Sequence, residues 1–203
     1  MRFTTPSLSV AMAVLATAAV VAGCAASGSG PSGSAADNGT VTSAAPESNP
    51  AGDIPDTQAF VPFTPPGGLF TVSVPEGWAR STDGAATIFT DKANTVRVET
   101  VPRADAPNTE SVQVDELPAI ASSTAGYRPA SVTAVQRKAG PVIVITYQGT
   151  SAPNPVTGKA GTDAFERYDY WRNGDEVVLT LSGPAGADNV DPWRTITDSL
   201  QWT

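Results

Sequence analysis

The sequence predicts an α+β domain in which an antiparallel β-sheet of about six or seven strands packs with two or more helices. Three observations lead to this prediction. Apolar and polar residues alternate in several short runs, an Asn-Gly pair joins two of these runs, and an amphipathic helix closes the chain. The loops between the runs are short, which favours antiparallel pairing of neighbouring strands.

The strands and the first helix follow from residue periodicity. Alternation predicts strands over residues 69–74, 86–90, 95–101 and 125–138, the last interrupted by Pro129. Residues 142–148 are apolar on both faces, which predicts a central strand. Residues 109–123 are typical of a helix, although Pro118 obscures its boundaries.

A β-hairpin is the clearest local prediction. The β-rich runs 163–172 and 176–182 flank Asn173-Gly174. Both of these residue types tolerate the positive φ that a type I′ turn requires. The pair therefore predicts a tight two-residue connection between two long strands.

The last element is predicted to be a helix that starts at Asp191-Pro192. Asp at the N-cap followed by Pro at the first helical position is a strong start signal. Trp193, Ile196 and Leu200 then form an apolar stripe, which should pack on the sheet. The rings of Trp78 and Trp202 are expected to cover the core in the same way.

The N-terminal residues predict a lipid anchor. Arg2 precedes an apolar run over residues 8–22, which suits a signal peptide and is short for a membrane span of about 20 apolar residues. The run ends in Val21, Ala22, Gly23 and Cys24, which resembles a bacterial lipobox. We therefore expect Cys24 to carry acyl chains at the extracytoplasmic face of the cell membrane. The alternative is an ordinary secretory signal, but this is the only cysteine in the sequence, and an unpaired thiol is unusual in an exported protein.

Three regions follow from composition. Residues 1–23 are the predicted signal peptide, and residues 24–58 are the lipidated cysteine with a disordered tether rich in Gly, Ser, Ala and Pro. Such a segment cannot bury enough apolar surface to offset the entropy cost of ordering. Residues 59–203 are the single α+β domain.

The composition also excludes functions. The 203 residues include 20 Asp and Glu, 12 Lys and Arg, and no His. Without His there is no Ser-His-Asp or Cys-His catalysis and no His-ligated metal. The net charge of −8 argues against nucleic-acid binding. We therefore expect no enzyme activity, no cofactor and no metal.

Several short motifs have plain explanations. Gly158-Lys159 lacks the first glycine and the Ser or Thr of a phosphate-binding loop, so residues 151–161 are predicted to be a long hairpin loop that remains a possible contact surface. The oxygen-bearing residues 188–191 lack the full spacing of a calcium loop. The adjacent carboxylates 115–116 and 175–176 point in different directions, and the second pair is expected in a solvated loop.

Strand 165–172 is the candidate binding surface. One face carries Phe165, Arg167, Asp169 and Trp171, and the other carries Glu166, Tyr168, Tyr170 and Arg172. Tyr, Trp and Arg dominate binding hot spots, so Tyr168, Tyr170, Trp171 and Arg172 are the predicted contact residues. The alternative is that the aromatic rings pack under a helix and the charges pair across strands.

Two segments carry a resemblance to a known family. Residues 70–78, Phe-Thr-Val-Ser-Val-Pro-Glu-Gly-Trp, resemble the opening strand and turn of PsbP-like α/β/α sandwich domains. Residues 191–202 resemble the closing helix of actinobacterial lipoproteins of the LpqN-like kind within that group. The resemblance implies an α/β/α sandwich and a non-enzymatic envelope protein that is an accessory or binding subunit.

The leading hypothesis is therefore a membrane-anchored module that binds another envelope protein. The alternative is a carrier for a lipid, glycan or peptide fragment. A carrier requires an enclosed apolar cavity of about 300 Å³ or more, lined by Tyr168, Tyr170 or their neighbours.

Overall fold

The structure is a computed structural model that describes residues 52–154 and 156–203, without the side chain of Ala130. The predicted signal peptide, the lipobox residues Val21, Ala22, Gly23 and Cys24, and most of the predicted tether lie outside the described residues. No helix in the described ranges is both long enough and apolar enough to cross a membrane.

The described residues form ten strands in two antiparallel sheets. In chain order these are β1 (Phe60–Phe63), β2 (Phe70–Pro75), β3 (Ala79–Asp83), β4 (Ala86–Asp91), β5 (Asn94–Pro102), β6 (Arg128–Arg137), β7 (Gly140–Thr150), β8 (Thr162–Arg172), β9 (Asp175–Pro184) and β10 (Gln201–Trp202). Seven of them form one sheet with the order β3-β4-β5-β9-β8-β7-β6. The other three form a small sheet with the order β1-β2-β10.

Helices complete the architecture. One helical segment consists of α1 (Thr109–Ser111), a π-helical segment (Val112–Glu116) and α2 (Leu117–Ser123). Pro118 lies in the first turn of α2, directly after the wide π-helical turn. Proline lacks the backbone N–H that donates a regular helical hydrogen bond. The helix is therefore irregular near Pro118, the residue that left the predicted helix boundaries undefined. The last helix is α3 (Val190–Asp198).

The two faces of the large sheet bury different clusters. On one face, α3 and the small sheet cover a core that includes the fully buried Phe70, Leu179 and Ile196. On the other face, the α1–α2 segment covers Ile143 and Ile145. Helices therefore flank the sheet on both sides, and the predicted α+β class with an α/β/α arrangement is confirmed.

Most predicted elements are present. The β8–β9 hairpin turns at Asn173, with φ 53°, and Gly174, with φ 93°, as the Asn-Gly pair predicts. Strand β7 is buried on both faces and pairs with β6 on one side and β8 on the other, so it is an interior strand of the sheet, as predicted. Its two-sided burial arises because helices cover both faces of the sheet.

The three tryptophans expected to cover the core do so. Trp193 is buried, and Trp78 and Trp202 pack against the core while partly exposed. The indole N–H of Trp78 donates to Gln58 Oε1 at 3.3 Å, and that of Trp202 donates to the Ala139 carbonyl at 3.2 Å. The indole N–H of each of these two partly exposed tryptophans therefore has a hydrogen-bond acceptor.

The start of the last helix differs from the prediction. The N-cap is Asn189, and Asp191 lies exposed in the first turn. The Asn189 side chain does not cap the helix, because its Oδ1 accepts a hydrogen bond from the Ile54 N–H at 2.8 Å. The contact between Ile54 and Asn189, which are 135 positions apart, fixes the start of this helix, and a local sequence pattern cannot predict it.

The boundary of the domain also requires correction. Ile54 is 3% exposed and belongs to the core, although the sequence placed it in the tether. The Gly52 carbonyl accepts hydrogen bonds from Asn94 Nδ2 at 2.8 Å and Asn189 Nδ2 at 3.2 Å. Residues 52–58 therefore pack on the domain, and the predicted boundary at residue 59 lies too late. We refer to Gly52, Ile54, Asn94 and Asn189 as the N-terminal clamp.

Candidate functional site

Two of the four predicted contact residues are core residues. Tyr168 and Tyr170 lie on the face of β8 that α3 covers, and they are 3% and 1% exposed. The Tyr170 hydroxyl donates to the Thr197 carbonyl in α3 at 2.7 Å. The prediction that these tyrosines form a binding surface is therefore wrong, and the alternative of aromatic rings beneath a helix is correct for this face.

The other two contact residues lie on opposite faces of β8. Trp171 is half-buried, and its indole N–H donates to the Arg103 carbonyl at 2.8 Å. Arg172 is exposed, and its guanidinium carbon lies 6.0 Å from the centroid of the Trp202 ring. Because neighbouring residues of a strand point to opposite sides, Trp171 and Arg172 do not form a single surface.

A partly buried group of charges lies on the α2 side of β8 and β9. We call it the ionic cluster, and its members are Arg103, Glu116, Arg167, Asp169 and Glu176. Arg103 follows the end of β5, and Glu116 is the last residue of the π-helical segment. The remaining three members lie on the adjacent strands β8 and β9.

Glu116 joins the two guanidinium groups of the cluster. Its Oε1 accepts a hydrogen bond from Arg103 Nη1 at 2.5 Å, and its Oε2 accepts one from Arg167 Nη2 at 2.6 Å. Arg103 Nη1 also donates to Glu176 Oε1 at 2.8 Å, and Arg167 Nε donates to Asp169 Oδ1 at 2.9 Å. The helical layer is thus tied to two strands by charge-assisted hydrogen bonds.

The charges of the cluster do not balance. Three carboxylates face two guanidinium groups, so the cluster carries a net charge of −1 when all five groups are ionised. Burial raises the pKa of the Asp169 carboxyl to about 7; Arg167 opposes this effect, and Glu116 and Glu176 add to it. Burial, followed by the charge of Glu116, also raises the pKa of Glu176. Near neutral pH, the cluster therefore exchanges a proton at Asp169.

A small cavity borders the cluster. It has a volume of about 80 Å³ and lies between the loop after β5 and strands β6, β7 and β8. Residues in its wall include Ala106, Pro107, Ala134, Ile143, Asp169 and Trp171. Asp169 Oδ2 is buried and has no hydrogen-bond partner among the described residues.

The carboxylates of the cluster are poorly suited to a divalent metal. Glu116, Asp169 and Glu176 can each place one oxygen within 4.8 Å of the others. Both oxygens of Glu116 and one oxygen of each other carboxylate already accept hydrogen bonds from arginine. A divalent cation would compete with two guanidinium groups that supply most of the balancing charge.

Sequence reasoning missed this cluster. It expected Glu176 in a solvated loop, but Glu176 lies in β9 and is 4% exposed. Alternation did place Arg167 and Asp169 on one face of a strand, and that was the available signal. The missing information was that Glu116, 51 positions from Arg167, would lie over that face.

The long loop between β7 and β8 has a defined conformation in its described residues. The backbone amide N–H of Ser151 donates to the Gly161 carbonyl at 3.1 Å, and the amide of Gly161 donates to Ser151 Oγ at 2.7 Å. Within the loop, Asn154 Oδ1 accepts hydrogen bonds from the backbone N–H groups of Val156 and Thr157, both at 2.9 Å. These contacts hold Val156 outward, where it is 91% exposed.

The comparisons with known proteins concern the fold. No protein-family model matches the sequence, and no curated protein matches it. The cyanobacterial PsbP of Synechocystis has a similar structure, with a TM-score of 0.55 and 11% identity over 76% of this chain and 100% of that one. The protein therefore has the PsbP fold, an α/β/α sandwich, which confirms the fold implied by the sequence resemblance.

Two further structures are more distant. LpqN, which is involved in cell envelope biogenesis of Mycobacterium tuberculosis, gives a TM-score of 0.41 and 16% identity over 73% of this chain and 92% of that one. A protein from Bacteroides thetaiotaomicron gives a TM-score of 0.45 and 13% identity over 70% of this chain. The chain spans 48% of the length of that protein.

Proposed function

We propose that the protein is an extracytoplasmic lipoprotein whose α/β/α domain binds another protein of the cell envelope without enzymatic activity. One observation carries the binding role: in the described residues of the β7–β8 loop, the apolar side chain of Val156 lies in solvent with 91% exposure. A single exposed valine is ordinary on a protein surface. Here the hydrogen bonds of Asn154 and Ser151 fix the loop that presents it.

The geometry of β8 favours this role over that of a carrier. The cavity that borders β8 has a volume of about 80 Å³, whereas a site for a lipid or glycan needs about 300 Å³ or more. Two larger hollows of about 400 and 380 Å³ lie elsewhere in the described residues, but their walls contain neither Tyr168 nor Tyr170. Tyr168 and Tyr170, which were expected to line a carrier cavity, pack in the core instead. The long loop is therefore the better candidate for contact with a large partner.

The proposed anchor rests on the lipobox-like residues Val21, Ala22, Gly23 and Cys24. Cys24→Ser removes the thiol that accepts the lipid, so we expect the variant to leave the membrane fraction. Ser27→Ala, three residues into the tether, is the matched control and should stay membrane-bound. Fractionation of cells and mass spectrometry of the N-terminal peptide measure both properties. Complete membrane retention of Cys24→Ser would refute lipid anchoring.

In-cell photo-crosslinking tests the binding surface. A photoreactive residue at position 156 should capture one envelope protein in near-stoichiometric amount. The same residue at position 114, which is 68% exposed in the π-helical segment, is the matched control and should not capture that protein. In a second arm, Val156→Asp should weaken co-purification of the partner, because a charge replaces an apolar contact. Capture of the same abundant proteins from both positions would contradict the proposal.

A further inference from the structure

The cavity beside the ionic cluster contains one charged residue in its wall, Asp169. Asp169 is 1% exposed, and its Oδ1 accepts a hydrogen bond from Arg167 Nε. Its Oδ2 has no hydrogen-bond partner in the described part of the chain. A buried carboxylate oxygen that lacks a donor is rare in folded proteins. The Asp169 side chain is 0% exposed, so a donor in the cavity reaches Oδ2 only when the residues beside it move apart.

The charges around Asp169 indicate which group would complete the site. Arg167 lies on the same strand, Glu116 faces it from the helical layer, and Glu176 lies on the neighbouring strand, paired with Arg103. These five groups sum to one negative charge when ionised. A monovalent cation with an N–H donor neutralises the net charge of the cluster and also donates a hydrogen bond to Asp169 Oδ2. A divalent cation would instead make the net charge of the cluster positive.

The walls of the cavity indicate what is attached to that charge. Ala134, Pro107 and Ile143 present apolar surface, which suits a short alkyl stem. A cavity needs about 10–15 Å³ of volume to hold one water molecule. The volume of about 80 Å³ therefore admits a few heavy atoms. Three wall residues, Ala106, Ala134 and Pro141, are exposed, so the cavity is open to solvent at its rim.

We propose that this cavity binds a primary alkylammonium group, which donates a hydrogen bond to Asp169 Oδ2 while its alkyl stem lies against Ala134 and Ile143. The group is the end of a lysine side chain or a small free amine, which share this chemistry. Binding requires the ionised carboxylate, so the affinity increases as Asp169 loses its proton.

Titration of the full-length protein in detergent micelles with n-propylammonium tests this proposal. Trp171 lies in the wall of the cavity, and its indole N–H serves as the NMR reporter. We expect saturable binding in the millimolar range, and at least tenfold weaker binding by Asp169→Asn. The asparagine variant retains the side-chain shape and removes the surplus charge, so it should fold.

Two further arms separate the cavity from general charge effects. Ala134→Leu narrows the rim without changing the cluster and should weaken binding severalfold, whereas Ala152→Leu, at an exposed position in the β7–β8 loop, should not. Tetramethylammonium, which has no N–H, should leave the Trp171 signal unchanged. Equal shifts with both cations, or unchanged affinity in Asp169→Asn, would overturn the proposal.

The final arm varies pH and ligand. The affinity for n-propylammonium should rise about tenfold per pH unit below the pKa of Asp169 and level off above it. If Asp169 titrates but the Trp171 signal does not shift on addition of the amine, the site takes only a proton, and the proposal would be overturned. Binding of Nα-acetyl-lysine amide as well as n-propylammonium supports a lysine side chain as the source, and binding of n-propylammonium alone supports a free amine.

Discussion

At the residue scale, Asp169 makes stability depend on pH. The folded-state pKa of its carboxyl is about 7, against an ordinary value of 3.8. Between these values the folded protein holds a proton that the unfolded chain releases. The contribution of this carboxyl to stability is therefore largest below pH 4, and it decreases as the pH rises through 7.

Asp169→Asn should remove this dependence. The free energy of unfolding of the variant, relative to the parent, should increase by about 3 kcal/mol between pH 5 and pH 8. Urea unfolding at both pH values measures the difference. Asp191→Asn, at an exposed site, is the matched control. Its free energy of unfolding should differ from that of the parent by the same amount at pH 5 and pH 8. A constant difference for Asp169→Asn would show that Asp169 does not titrate in this range.

The ionic cluster also shows the limit of prediction at this scale. Arg103 and Glu176 are 73 positions apart, and their contact depends on the pairing of β5 with β9. Alternation predicts which face of a strand a residue occupies, but it does not predict which distant side chain lies over that face. The faces of β8 were therefore predictable, whereas the partners of Arg167 were not.

At the scale of elements, Glu116 gives the π-helical segment its attachment to the sheet. Both of its carboxylate oxygens accept hydrogen bonds from arginine side chains, and its own side chain is 15% exposed. Removal of Glu116 takes away these two charge-assisted hydrogen bonds, while Arg103 stays paired with Glu176 and Arg167 with Asp169. The segment is thus held by a polar contact at its C-terminal end and by the buried Val112 at its start.

Glu116→Ala should destabilise the protein by about 2 kcal/mol, because two partly buried guanidinium groups lose their hydrogen bonds to the helical segment. The neighbouring carboxylate provides the matched control, since Asp115 is exposed and Asp115→Ala should change stability by less than about 0.5 kcal/mol. Thermal unfolding at neutral pH distinguishes the two variants. Equal effects of both would show that the cluster contributes little to stability.

Elements that depend on local backbone preference were predictable. The turn at Asn173-Gly174 needs two positive φ angles, and the two residue types alone indicate it. The start of α3 was not predictable in the same way. Asp191-Pro192 carries the stronger local signal, but Asn189 occupies the N-cap while its amide contacts Ile54 and Asn94.

At the scale of the whole molecule, the N-terminal clamp defines where the folded domain begins. The Ile54 amide, the Gly52 carbonyl and the Asn94 side chain all contact Asn189, which is 3% exposed. Gly52 has a φ of 104° and lies against Pro184, where a Cβ atom would come within 2.6 Å of the ring. The sequence could not reveal this boundary, because the composition of residues 52–58 resembles that of the preceding tether.

Asn189→Ala should release the clamp. We expect a loss of about 2 kcal/mol in the free energy of unfolding, because the buried Ile54 N–H loses its acceptor. Limited proteolysis should cut residues 52–58 faster in this variant than in the parent. Asp191→Ala, which removes the cap that the sequence predicted, is the matched control and should leave both measurements unchanged. Equal proteolysis of the parent and Asn189→Ala would show that the clamp does not order the segment.

The N-terminal clamp has a mechanical consequence. A pull on the chain ahead of Gly52 meets the hydrogen bonds to Asn94 and Asn189 before it reaches β1. Asn94 begins β5 in the large sheet, and Asn189 directly precedes α3, so tension passes directly into the sheet and the helix that covers it. The edge strand β1 pairs with one other strand among the described residues and would separate most easily, but it lies beyond the point where the load is borne.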